Sequence, residues 1–172
     1  MDEHVILVDE EDNPIGTMEK MEAHQKGALH RAFSVFIFNK RGEMLLQQRA
    51  FDKYHSAGRW SNTCCSHPRS NEKTKDAANR RLMEEMGLSC DLTHRFRFQY
   101  KASFENGLIE HEIDHVYFGI SDSIPTINPQ EVANFKYVNL ADLESAIQNH
   151  PEEFTPWFII CFDQVAGIIN NM

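Results

Sequence analysis

The chain has 172 residues, 41% of them apolar, with a formal net charge of −9 and a pI near 5.4. That length and apolar content suffice for one core built without disulfide staples. The acidic balance argues against general binding to duplex phosphates or an anionic membrane, which need basic stripes, so any anionic ligand must be met by a local group of Lys and Arg or by a metal.

The N-terminal stretch MDEHVILVDEEDNP is acidic, and its apolar run is too short for a signal peptide. Nothing in the chain approaches the roughly eighteen apolar residues of a membrane span. The expectation is a cytoplasmic protein with reduced cysteines, and residues 1–172 read as a single domain. HVILV predicts a short strand, followed by a turn at DEEDNPIG. RAFSVFIFN (Arg31 to Asn39) and EMLLQQR (Glu43 to Arg49) are apolar runs divided by KRG, which predicts a hairpin. TKDAANRRLMEEMG predicts a helix: Ala77, Ala78, Leu82 and Met86 recur near helical spacing and Gly87 supplies the stop. RFRFQYKASF alternates, with Phe96, Phe98, Tyr100, Ala102 and Phe104 on one face. ENG then turns the chain into the returning strand LIEHEIDHVYFGI. EVANFKYVNL predicts another strand, ADLESAIQN a short helix, and EEFTPWFIICFDQVAGIINN a C-terminal helix. Antiparallel strands with one helix inserted and more following predict an α+β class.

The densest chemistry lies in SNTCCSHPRSNE, Ser61 to Glu72. Cys64 and Cys65 are adjacent, so their Cα atoms lie about 3.8 Å apart, closer than a disulfide usually spans. They also lack the Cys-x-x-Cys spacing of structural zinc sites, which leaves a zinc interaction module as a weak reading. Cys90 and Cys161 stand alone in apolar settings and read as small core hydrophobes.

From Ser66 to Leu88 runs a second pattern. Glu72, Arg80, Leu82, Glu84, Glu85, Gly87 and Leu88 fall on the spacing of the Nudix box, and the chain resembles that superfamily here. A helix sets Arg81 and Glu85 one turn apart, and likewise Arg80 and Glu84. Carboxylates on one helical face can hold Mg²⁺, which in turn grips a diphosphate. Ser66 stands where the box has its first glycine, and Arg81 where it has a glutamate. In a pyrophosphohydrolase that glutamate belongs to the metal and water-activating set. A cation there can do neither job, but it can bind a phosphate oxygen. A Nudix pyrophosphohydrolase is therefore the alternative reading.

His24, His30 and His67 are joined by Glu110 and Glu112, which leave a strand on the same face. Three imidazoles and two carboxylates suit a divalent cation such as Mn²⁺, Mg²⁺ or Zn²⁺. His4, His55, His94, His111, His115 and His150 read as non-ligating. With the stretches EAHQKGALHRAFS, RWSNTCCSHP, RRLMEEMG, IEHEID and TPWF, these residues resemble the type 1 isopentenyl-diphosphate isomerases over nearly the whole chain, in the same order. The resemblance implies a Nudix-like α+β fold, with mixed or antiparallel sheets flanked by helices. It implies conversion of isopentenyl to dimethylallyl diphosphate by protonation at C4 and deprotonation at C2, through a carbocation-like intermediate. Cys65 is then the catalytic thiol, and beside His67 a metal and nearby cations are expected to favour its thiolate. Glu112 is both metal ligand and acid, with Tyr100 hydrogen-bonded near it. His24, His30, His67, Glu110 and Glu112 hold one tightly bound divalent ion. Glu85 ligates a second Mg²⁺ that enters with the diphosphate, Lys20, Arg49, Lys53 and Arg81 meet the diphosphate, and Trp157 is the aromatic wall. The implied partner is a small prenyl diphosphate, with no nucleic acid and no membrane.

Overall fold

The computed structural model describes residues 3–171. All nine strands join one sheet. β1 (His4–Val8) and β2 (Pro14–Glu19) are antiparallel, and the short helix α1 (Lys20–Lys26) follows. The Glu19 carboxylate accepts from the backbone N–H groups of Met21 and Glu22, which caps α1; Gly27, at φ 67°, ends it. β3 (His30–Phe38) is the central strand. One edge runs parallel to β8 (Ile109–Ile120) over its whole length, from His30↔Glu112 to Phe38↔Ile120. The other edge is shared by β1, by β6 (Cys64–Ser66) and by β4 (Met44–Arg49). β4 then pairs with β5 (Trp60–Ser61) and β9 (Val132–Val138), and β7 (Thr93–Ser103) covers the far side of β8.

Alternation along the strands sorts the core into two layers. Phe36 and Phe38 of β3 join Val116 and Phe118 of β8 on one face, covered by α3 (Leu140–Asn149) and α4 (Pro156–Asn170). Phe33, Val35 and Ile37 face the other way, onto Ala77, Ala78, Leu82 and Met86 of α2 (Thr74–Met86). α2 stops at Gly87, at φ 64°, where a Cβ would come within 2.8 Å of Thr126. The helix–strand plan agrees with the α+β expectation.

Several local expectations need correction. β2 begins inside the span expected as a turn after β1, and α1 follows it without a sequence signal, its seven residues being too few for periodicity to show. The predicted hairpin closes at the single pair Phe38↔Met44, because β6 takes the edge of β3 that β4 would otherwise fill. The parallel β3–β8 pairing makes the sheet mixed, as the resemblance implies. The C-terminal helix begins at Pro156, after a separate 3₁₀ turn over Pro151–Glu153, since proline suits the first helical turn. Phe104 lies just past the end of β7.

Candidate active site

The face of β8 that carries Val116 and Phe118 at its core end carries Asp114, Glu112 and Glu110 at the other. All three carboxylates are buried. β3 lies parallel and sets His30 beside Glu112, so His30 Nε2 reaches Glu112 Oε2 at 3.1 Å. The segment after β6 brings His67 Nε2 to the same oxygen at 2.9 Å. α1 brings His24, whose Nε2 lies 3.7 Å from Glu110 Oε2. The loop after β4 brings His55 Nε2 to 2.9 Å from that oxygen.

Backbone carbonyls prepare two of the imidazoles. His24 Nδ1 donates to Lys20 O at 2.7 Å and His30 Nδ1 to Ala28 O at 2.9 Å. With Nδ1 committed to a carbonyl, each ring turns Nε2 toward the carboxylates, where it donates to them when protonated and offers a lone pair to a metal when neutral. His24 Nε2 and Glu110 Oε1 are buried and lack hydrogen-bond partners. Buried polar atoms are rarely left unpaired, and converging N and O donors of this kind fit a divalent cation. His24, His30, His67 and Glu112 form one set of donor atoms within 4.8 Å of one another, and His24, His55 and Glu110 form a second. Four of the five residues expected as ligands fall in the first set, and Glu110 joins them only through His24 in the second. His55, read as non-ligating, sits with them; nothing in its local sequence distinguishes it from the surface histidines.

The electrostatics divide the three carboxylates. Burial alone would raise Glu112, but hydrogen bonds from His30 and His67 outweigh it and hold the carboxyl well below its usual range. Burial likewise disfavours charge on His30, yet its bond to Glu112 raises its pKa, while burial lowers that of His67. Asp114 is pushed well up, first by burial and then by the Glu112 charge, and accepts a hydrogen bond from Ser34 at 2.9 Å. Three neighbouring buried carboxyls disfavour one another's ionisation, and burial beside the Glu112 charge makes Asp114 the one whose neutral form is most favoured.

Cys65 lies opposite Ser34 on β6, half-buried, in a pocket it shares with Glu112, Arg49, Tyr54 and Trp157. Burial pushes its thiol far up, with Arg49 opposing only in part. Against the expectation of a thiolate, burial favours the thiol form of Cys65, while hydrogen bonds favour the ionised form of Glu112. Tyr100 is also corrected. It faces Glu112 across the β7–β8 pair, but its hydroxyl has no hydrogen-bond partner and its ring packs into the core with Phe98. Trp157 is buried and donates from Nε1 to Asn62 at 3.2 Å, and the Arg49 guanidinium lies 5.3 Å from its ring.

Glu85 stands apart from the histidines. It is buried on α2 and held by Arg81 at 3.0 Å, the Cys64 thiol at 3.4 Å and Gln47 at 3.2 Å. Cys64 is thus a thiol donor to Glu85 as well as a packed neighbour. The four expected diphosphate cations are distributed. Arg49 lines the inner pocket, whereas Arg81 faces an adjoining cleft beside His67, Ser66 and Arg69. Lys53 and Arg81 are linked through Glu131, and Lys20 pairs with Glu3 at 3.1 Å. The sequence reading missed a role for Glu131, which opens the predicted strand EVANFKYVNL but lies in the turn just before β9.

Under limited alkylation, Cys65 is expected to react before the fully buried Cys64. Because its pKa is raised, the rate should still climb above the ordinary thiol range as pH rises. Mass spectrometry with activity followed in parallel checks this; labelling of Cys64 first would contradict it.

A family model described as NUDIX domain matches residues 28–158. The chain is 55% identical to an isopentenyl-diphosphate Delta-isomerase of Pectobacterium atrosepticum, covering 94% of this chain and 90% of that one. It is 53% identical to isopentenyl-diphosphate Delta-isomerase 2 of Aromatoleum aromaticum, over 97% of this chain and 88% of that one. Among solved structures, DR0079 from Deinococcus radiodurans matches with a TM-score of 0.75 at 18% identity, covering 98% of both chains. A MutT protein from Methanosarcina mazei Go1 matches with a TM-score of 0.64 at 19% identity, over 79% of this chain and 91% of that one. At these identities the solved structures speak to the fold alone.

Proposed function

The chain belongs to the NUDIX domain family and, within it, to the isopentenyl-diphosphate Delta-isomerases, and from that membership we propose how its own residues carry the reaction. The activity is conversion of isopentenyl diphosphate to dimethylallyl diphosphate, a step of isoprenoid metabolism. The observation that supports the residue assignment is that Cys65 and Glu112 line one pocket, with burial raising the thiol's pKa and hydrogen bonds from His30 and His67 lowering the carboxyl's.

Moving the double bond adds a proton at C4 and removes one from C2. Cys65 holds a transferable proton for C4, and the Glu112 carboxylate can accept the one from C2. The reverse direction uses the same pair with the proton on Glu112. A bound divalent cation in the set of His24, His30, His67, Glu110 and Glu112 would lower the pKa of its ligands and fix their orientation. Trp157 supplies a π face to the developing C3 cation, worth ~2 kcal/mol in a dry pocket, or roughly thirtyfold in rate. Diphosphate binding by Lys20, Arg49, Lys53 and Arg81 anchors the substrate, and its energy positions the alkene. Glu85 would take the Mg²⁺ that accompanies the diphosphate. The described residues include no helix long and apolar enough to cross a membrane. We take the chain as one cytoplasmic domain over 1–172, acting on this small substrate without nucleic acid or membrane.

The direct test is incubation with isopentenyl diphosphate and Mg²⁺. Dimethylallyl diphosphate should form without inorganic phosphate, and release of phosphate would favour the pyrophosphohydrolase. Glu85→Gln should spare the tightly bound metal yet weaken Mg²⁺-dependent binding of a non-reactive diphosphate analogue by about tenfold or more. An unchanged Mg²⁺ dependence in calorimetric titration would remove Glu85 from that role.

A further inference from the structure

Beyond the five ligands already assigned, we propose that His55 is a direct protein donor to the tightly bound cation. This rests on the metal-centre reading above. His55 is buried, and both of its ring nitrogens lack hydrogen-bond partners. Its Nε2 lies 2.9 Å from Glu110 Oε2, within hydrogen-bond distance but outside good hydrogen-bond geometry. Atoms that crowd to this distance without aiming at each other are what two ligands of one cation look like. Donors at right angles about an ion, each ~2.1 Å from it, lie ~3.0 Å apart and point at the ion.

The neighbours repeat this pattern. His24 Nε2 and Glu110 Oε1 are also buried and unpaired, and together with His55 they form a compact group of donors. His24 belongs to both donor sets and so ties His55 to His30, His67 and Glu112. By contrast, His30 and His67 do hydrogen-bond Glu112. Packing holds the His55 ring in place: it stacks on Phe104 at 4.4 Å and 10° and meets Trp157 edge-on at 5.8 Å. The second contact also links the cation site to the aromatic wall of the substrate pocket. A solvated surface histidine needs none of this enclosure, and a core histidine would have its nitrogens paired.

The test uses the full chain, stripped of metal and titrated with Co²⁺, whose visible absorption reports the donor set. Wild type, His55→Ala, His55→Gln and His67→Ala are compared, with circular dichroism confirming the fold of each. His55→Ala and His55→Gln should each bind Co²⁺ at least about tenfold more weakly. Both should shift the cobalt bands, and added imidazole should restore the bands in His55→Ala. Wild-type affinity and bands in both His55 variants would overturn the proposal. Weakened binding with unchanged bands would also overturn it, by reducing His55 to a positioning role on Glu110. If wild type itself binds no Co²⁺, the metal centre falls; if wild type binds, His67→Ala does not and the His55 variants match wild type, only the His55 assignment falls.

Discussion

Run in D₂O, the protein is expected to place solvent deuterium on the new methyl group of dimethylallyl diphosphate. On longer incubation, reversal should exchange hydrogen at C2 of the isopentenyl isomer as well. The expectation follows from two proton-transfer groups in one pocket, Cys65 and Glu112, each able to equilibrate with solvent between turnovers. Cys65→Ala and Glu112→Gln should each abolish net isomerisation, with losses of at least about a thousandfold, since each removes one end of a two-ended transfer. Neither residue can replace the other, because they sit on different strands, Cys65 on β6 and Glu112 on β8, with β3 between them. Trp157→Phe should be milder than Trp157→Ala, because a smaller π face still meets the cation. Proton NMR of the products reads all of these outcomes. Phosphate release with no deuterium in the carbon skeleton would refute the assignment.

Elemental analysis after desalting should find about one divalent ion per chain in wild type and a small fraction of that in His67→Ala. The loss should be large because His67 meets the same Glu112 oxygen as His30, so removing it opens the donor set at its centre. Metal retention should also fall with pH. Each imidazole must be neutral to ligate, and His30 protonates at higher pH than an ordinary histidine because its bond to Glu112 raises its pKa against burial. The metal-free protein should show the complementary effect. Glu112, with its lowered pKa, contributes stability that is present above the ordinary carboxylate range and lost only as the pH falls through its depressed folded value. Equal metal in wild type and His67→Ala would remove His67 from the site.

Much of this protein is written locally. α2 has its apolar spacing and its glycine stop, and β7 its alternation, so both are legible without any partner. The pairing of Glu110 with Glu112 is equally local, since residues two apart on a strand must share a face. The motif around Cys65 and His67 and the arginine at position 81 identify the family and argue against hydrolysis. Tertiary structure decided the rest. The third carboxyl of that face, Asp114, is buried, and its pKa raised, only because β3 and β8 come together. Cys65 reads as thiolate-prone from a metal and nearby cations, whereas burial in the fold outweighs Arg49 and raises its pKa. His55 and Glu131 lie on loops, where no periodicity marks a residue. Their roles depend on what lies 55 residues away at Glu110 and 78 residues away at Lys53. A strand or helix repeats its own geometry within a few residues, so its faces can be read along the chain. Burial and loop contacts depend on distant segments, so solvation and pKa are set only by the packed whole.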